Sequence, residues 1–383
     1  MRNVGVVSMG IKAPIIREGD NLAKIVVNSV LNATLIDSKF IDVPDPTTKS
    51  GWKVEEFKTY DIDDKYVIGI TESVVARAAG NYVTVDEIAD ELKARFGSDK
   101  NYVLLNPIYS RNRFSMILKA IARAAKDKIT IYMPDVDEVG NPSGVNPFTG
   151  VNIIEYYTEL INTEAKKCCI NPYDFSISYH EIPNDSIVIY CGLHDYEQWK
   201  SDYGDDTHIT LAEICSSKCE YGLLGSNKAT EEKLKLFPSK ASAQELVEKV
   251  QAEMYKATNK YVEVLIFGDG CFKDPVGGIW ELADPVTCPA YTVGLEGTPN
   301  EIKIKAFADD QFKDLMGDDL DNAIKNTIIE NNKSLVGNMA SQGTTPRRYV
   351  DLLASLMDLT TGSGSKGSPF VIVKNYFKSY AND

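Results

Sequence analysis

The residues best suited to chemistry lie near the middle of the chain. They are a turn, Gly222-Leu223-Leu224-Gly225-Ser226-Asn227, an amphipathic segment, an apolar run from Tyr261 to Phe267, and then Gly268-Asp269-Gly270. A carboxylate between glycines at a strand end is a common place for metal ions and phosphates in α/β proteins, because the strand fixes the backbone and the glycines let a ligand approach it. Gly-Asp-Gly is also ordinary turn chemistry, so Asp269 stands as either a ligand or a turn residue. The loop Thr361 to Ser368 carries glycines and Lys366, which suit an anion. It lacks the Walker A spacing, and it follows a helix and precedes a strand instead of the reverse; the other reading is a flexible connector.

A third group, His194-Asp195 with Asp202, Asp205, Asp206 and His208, offers oxygen and imidazole donors for a metal, against the reading of a solvated acidic loop. His180, His194 and His208 are the histidines, and none stands in a recognisable nucleophile pattern. The seven cysteines (Cys168, Cys169, Cys191, Cys215, Cys219, Cys271, Cys288) cannot all pair, which points to reduced thiols. Cys215 and Cys219 have the spacing of one helical turn, but no second half of a zinc site follows.

The elements that must hold these groups follow from periodicity. A strand is expected over Val4 to Ser8, then a helix from Leu22 with Asp20 as its N-cap. A β-rich run at Lys65 to Thr71 leads into Glu72 to Gly80, and Thr84-Val-Asp-Glu87 has capping-box spacing for another helix. From about Phe96 to Glu220 the texture changes to Tyr, Asn, Pro and Asp clusters around a helix (Phe114 to Lys126) and strands at Ile129 to Met133 and Ile187 to Cys191. Ser242-Ala-Gln-Glu245 also has capping-box spacing, ahead of a helix whose Leu246, Val250 and Met254 share a face. A helix (Tyr349 to Leu359) and a strand (Phe370 to Lys374) close the chain.

Composition sets the class. The chain has 383 residues, 43% hydrophobic and 25% charged, with a net charge of −14. Such a chain buries a sizeable core. Its acidity repels nucleic-acid backbones and anionic lipid, and no apolar run approaches the roughly 20 residues that span a bilayer. The expectation is a cytoplasmic protein with neither a nucleic-acid nor a membrane partner.

Several segments in order resemble the coenzyme F420-0:L-glutamate ligases, which are GTP-dependent γ-glutamyl ligases. Gly10-Ile11-Lys12 through Gly19-Asp20-Asn-Leu22 resembles GxPxIxxGDDL lengthened by two residues, and Thr71-Glu-Ser-Val-Val-Ala-Arg77-Ala-Ala-Gly80 resembles TSKxVSKAEG. Gly222 to Asn227 is similar to GIDRSN, Leu236 to Ala243 to LLPEDPDASA, Phe267 to Phe272 to TDTFGR, and Thr361 to Lys374 to MGQxxEGxPVVxVRG. The resemblance implies a mixed α/β (α+β), two-part fold with a ligase-like core over 1–92 together with 221–383. Residues 93–220 would form an insertion or subdomain. It implies an intertwined homodimer, and an amide formed between a substrate carboxylate and L-glutamate through an acyl phosphate, with GTP or ATP as co-substrate and a divalent cation, Mg or Mn. The acceptor would be a small molecule that need not be F420-0. The matching positions make Gly10, Ile11, Lys12, Ser73, Arg77, Ser226 and Asn227 the nucleotide-binding candidates and Asp269 the metal ligand.

The chain departs from the family at charged positions. Leu224 stands for the first metal Asp, Gly270 for the Thr of TDT, Ser363 for the late Gln or Glu, and Ser73, beside Glu72, for the first lysine. Mg²⁺ and Mn²⁺ take hard oxygen donors, so an active enzyme would need a relocated site, with Asp205, Asp206 and His208 as candidates. The alternative is a homologue that binds a ligand or partner without metal-dependent transfer.

Overall fold

A computed structural model describes residues 4–47, 49–110, 112–147, 149–172, 185–192, 201, 206–269, 286–331, 333–338, 340–343, 347–362 and 364–381. In chain order the elements are β1 (Val7–Ile11), α1 (Leu22–Thr34), β2 (Leu35–Pro44), β3 (Trp52–Tyr60), β4 (Val67–Thr71), α2 (Glu72–Ala78), β5 (Tyr82–Thr84), α3 (Val85–Phe96), β6 (Asn101–Leu105), α4 (Arg113–Ala124), β7 (Lys128–Met133), α5 (Ile153–Thr163), β8 (Lys167–Pro172), β9 (Ser186–Tyr190) and β10 (His208–Thr210). A 3₁₀ turn (Gly222–Gly225) then leads to β11 (Ser226–Thr230), β12 (Lys233–Leu236), α6 (Lys240–Thr258), β13 (Glu263–Phe267), β14 (Ala290–Tyr291), α7 (Gly317–Glu330), α8 (Tyr349–Thr360) and β15 (Phe370–Lys374). The class is mixed α/β, as the sequence implies. Among the described residues no helix is long and apolar enough to cross a membrane.

The first sheet has the order β1-β15-β4-β13-β14. Its three central strands, β15, β4 and β13, are largely aliphatic runs because both faces are covered. Along β15, Phe370 and Ile372 join Val26, Val30, Ile68, Ile70, Val247 and Met254 under α1 and α6. Val371 and Val373 turn to the opposite face, against Leu353 and Met357 of α8. Gly69 lets α8 approach β4 closely, since a Cβ there would stand 2.2 Å from the Met357 sulfur. Within this sheet β4 and β13 are parallel neighbours, with Thr71 level with Phe267. Both strands therefore finish at the same end of the sheet.

The second sheet, order β10-β9-β6-β7-β8, is parallel throughout. The chain steps outward from β6 to β7 and β8, then returns to the other flank of β6 for β9 and β10, so its direction reverses between β6 and β9. A three-stranded antiparallel sheet, β11-β12-β5, joins the two halves. Leu234 and Leu236 of β12 enter one apolar cluster with Ile88 and Leu92 of α3, Phe114 and Ile117 of α4, Tyr157 of α5 and Ile189 of β9.

Several local expectations are corrected. The first strand runs Val7–Ile11, not Val4 to Ser8. Asn21, not Asp20, caps α1, because the Asp20 carboxylate accepts the Arg17 amide at 2.6 Å and is used in closing the preceding turn. α6 starts at Lys240 with Ser239 as its cap; Ser239 follows directly on Pro238, which cannot continue a strand ladder. The Thr84–Glu87 capping box forms as expected. Cys215 lies in a turn at φ 61°, and neither it nor Cys219 is helical. The two ends of the late Gly-rich loop meet, since Gly362 and Ser368 bond each other's backbone at 3.2 and 2.9 Å. A ribbon of β2 and β3, unforeseen from sequence, leaves Phe40, Val54 and Trp52 exposed at 72%, 64% and 53%. Its register pairs Phe40 with Glu56 and Lys39 with Phe57, so apolar and charged residues share both faces and alternation is lost.

Candidate active site

The parallel pair β4 and β13 places two carboxylates side by side. Glu72 opens α2 directly after β4, and Asp269 follows β13 by two residues. Glu72 is buried, and burial pushes its carboxyl up to about 7, with the Lys235 charge opposing the rise, the Asp269 charge adding to it and Arg113 opposing it. Burial also raises the Asp269 carboxyl, against the pull of Arg113 and Lys235. Asp269 keeps an open flank to solvent, so water screens its charge and the burial effect is the weaker of the two. The carboxylate therefore faces the two cations and also reaches water.

The cations come from other parts of the fold. Lys235 of β12 stands directly across from Asn227 of β11, its side chain 13% exposed and its ammonium 3.8 Å from Glu72 Oε2. That ammonium donates to the Ser73 hydroxyl, so a lysine of β12 reaches the start of α2. Arg113, the first residue of α4 and 5% exposed, donates from Nη1 to the Leu224 carbonyl at 3.0 Å. The second sheet's first helix thus supplies a charge to that end of the first sheet. Gly225, Ser226, Asn227 and Phe237 complete the lining of a cavity of about 10 Å³, room for roughly one water molecule.

Two loops close on the same end of the sheet. Ala13 donates its amide to Gly367 at 3.2 Å, Thr71 to Pro369 at 3.1 Å and Gly19 to Ala78 at 2.9 Å. The opening loop, α2 and the late Gly-rich loop are therefore adjacent. Within them Gly10 and Lys12 are exposed and the Ile11 side chain is core. Arg77 and Lys366 are exposed, and no hydrogen bond or ion pair among the described residues joins either to the cluster. Ser226 is buried and spends its hydroxyl on the Leu223 carbonyl at 2.6 Å, while Asn227 Oδ1 accepts the Lys228 amide at 2.9 Å.

Asp206 and His208 lie at and just before β10, the edge strand of the second sheet, where the Thr207 hydroxyl and His208 Nδ1 are 3.2 Å apart. His180, His194, Asp195, Asp202, Asp205, Gly270, Cys271 and Ser363 lie outside the described residues. Among the described residues no three His, Cys, Asp or Glu groups converge as a metal cage. A Mg²⁺ ion, however, is usually held by one or two carboxylates plus the substrate's own phosphates. Glu72 and Asp269 are two carboxylates of this cluster, whereas Leu224 offers only its carbonyl, already bonded to Arg113.

Sequence reasoning passed over Lys235 and Arg113 and noted Glu72 only as the neighbour of Ser73. The signal for Lys235 was the pattern Lys233-Leu234-Lys235-Leu236, whose leucines are core. The opposite face of that strand looks like solvent in sequence but is cleft wall in space. For Arg113 the signal was its place at a strand-to-helix turn of a parallel sheet, where such sheets build sites.

Comparison with curated proteins returns no match. A family model described as F420-0:Gamma-glutamyl ligase matches residues 10–375, a span that takes in both the six resembling segments and the second sheet between them. With that match over nearly its whole length, the chain belongs to the F420-0:gamma-glutamyl ligase family.

Proposed function

We propose that the chain is a nucleotide-dependent γ-glutamyl ligase whose charged centre has been rebuilt around Glu72, Asp269, Lys235 and Arg113. The observation that carries this is the meeting of two carboxylates with the buried Arg113 and the half-buried Lys235 where β4 and β13 end. In the reaction, the γ-phosphoryl group of GTP or ATP passes to a substrate carboxylate, releasing nucleoside diphosphate and leaving an acyl phosphate. The amine of L-glutamate then attacks the acyl carbon, phosphate departs and the amide forms. Glu72 and Asp269 would hold a divalent cation, Mg or Mn, which when bound neutralises triphosphate charge. Asn227 and the backbone at Gly225 and Ser226 line the same cavity and would orient the nucleotide. The adjacent loops at Gly10 to Lys12 and Gly362 to Ser368 would shield it from water, with Arg77 on the outer rim.

The net charge of −14 supports small-molecule substrates over nucleic acid, a cytoplasmic setting and no membrane partner. Residues 1–92 with 221–383 would act as the ligase core, with 93–220 as a subdomain that lends Arg113. The exposed β2–β3 ribbon supports a homodimer, because a two-stranded ribbon alone is marginally stable in water and this one carries apolar side chains on both faces.

A second reading is favoured by the water-sized cavity and by Leu224 in place of a metal Asp: a homologue that binds a ligand or partner without transfer. Calorimetric titration with GTP and ATP, with and without Mn²⁺, separates the two. The ligase reading expects nucleotide affinity that needs the cation and is abolished by Asp269→Asn. Absence of affinity for either nucleotide removes it.

A further inference from the structure

A lysine on an alternating strand normally carries its ammonium to water. Lys235 does not: its side chain is 13% exposed, although a desolvated ammonium is costly unless its donors are satisfied. The group has three N–H donors. One is taken by the Ser73 hydroxyl. The nearest carboxylate oxygen, Glu72 Oε2, is 3.8 Å away, beyond the roughly 2.7–2.9 Å of a charge-assisted hydrogen bond. The ion pair is therefore loose, and the ammonium retains donor capacity beside a cavity lined by Gly225, Ser226 and Asn227. The Asn227 pairing across the sheet brings an amide side chain to the same face. Arg113 is by contrast anchored to the Leu224 carbonyl.

We infer that Lys235 is the residue that binds phosphoryl oxygens in this cleft, exchanging its loose contact with Glu72 for direct donation to the triphosphate of the nucleotide. The inference rests on the ligase reading above and deepens it by naming the cation. An anion with several tetrahedrally arranged oxygens suits the unused donors of Lys235, and its repulsion from Glu72 and Asp269 is what a divalent cation held between them would relieve. The competing role is structural, in which Lys235 merely balances the two carboxylates.

The test is calorimetric titration of the full chain, wild type against Lys235→Met, Lys235→Gln and Lys235→Arg, with GTP, ATP, inorganic tripolyphosphate and the unphosphorylated nucleosides. A charged hydrogen bond of ordinary strength predicts about 10- to 100-fold weaker binding of the triphosphates in the Met and Gln variants. Nucleoside affinity should be unchanged, and Lys235→Arg should recover at least part of the loss. A structural role would instead lower the melting temperature and weaken nucleoside and triphosphate together. Equal triphosphate affinity in wild type and Lys235→Gln overturns this inference and leaves the ligase reading intact. Absence of binding in the wild type overturns both. The two neutral variants guard against one failing to fold, and the melting temperature is recorded for each.

Discussion

Replacing Glu72 by Gln tests the charge cluster through stability alone. The Glu72 carboxyl titrates near 4.5 when unperturbed and at about 7 in the folded chain, so the native state holds this proton more tightly than the unfolded one. Stability from this group is fully present below about pH 4.5 and is lost as pH rises through about 7, because across that window the unfolded chain releases the proton first. At about 1.4 kcal/mol for each pKa unit, the loss is on the order of 3 kcal/mol. Glu72 and Asp269 influence each other, so the observed curve belongs to the pair. Glutamine cannot ionise, and Glu72→Gln should flatten this part of the profile. Urea unfolding at intervals from pH 5 to 8.5 provides the measurement. Near pH 5 the two proteins should agree within about 1 kcal/mol, the scale of one neutral hydrogen bond. At pH 8 the variant should be more stable by about 2–3 kcal/mol. Parallel profiles for the two proteins would refute the claim that Glu72 is desolvated beside a second carboxylate.

Other substitutions probe different levels of the structure. Gly222 sits at φ 51°, and a Cβ there would lie 2.3 Å from the Ala212 carbonyl oxygen; Gly222→Ala should cost about 1–3 kcal/mol or more, read from denaturant midpoints, and a neutral result would mean the 212–225 turn is misplaced. The double change Phe40→Glu with Trp52→Glu on the β2–β3 ribbon should yield a monomer in sedimentation equilibrium if the ribbon makes the dimer, while leaving secondary structure intact. Wild type sedimenting as a monomer would dispose of that assembly.

The three central strands of the first sheet were legible in the sequence. β15 lies where its apolar run places it, and β13 and β4 differ from expectation by about two residues at one end. Those strands are buried on both faces, so composition alone marks them. The β2–β3 ribbon was illegible for the opposite reason, since with both faces open nothing forces Lys39 and Phe57 onto different sides. Asp269 was found because glycines flank it. Lys235 and Arg113 were missed because each serves a sheet end built from segments distant in sequence: Lys235 reaches Ser73 across 162 residues and Arg113 reaches Leu224 across 111. Pairing over such separations leaves no trace in local spacing.

The shared packing of α3, α4 and β12 restricts how this protein could be shortened. Joining residue 92 to residue 221 would strip the cover from Ile88, Leu92, Leu234 and Leu236, each no more than 1% exposed. It would also remove the guanidinium that braces the Leu224 carbonyl. Each of those four side chains would return about 1.5–3 kcal/mol of burial to water, against a typical net stability of about 5–15 kcal/mol. A trimmed ligase is therefore expected to collapse or aggregate unless that side is redesigned as a polar surface.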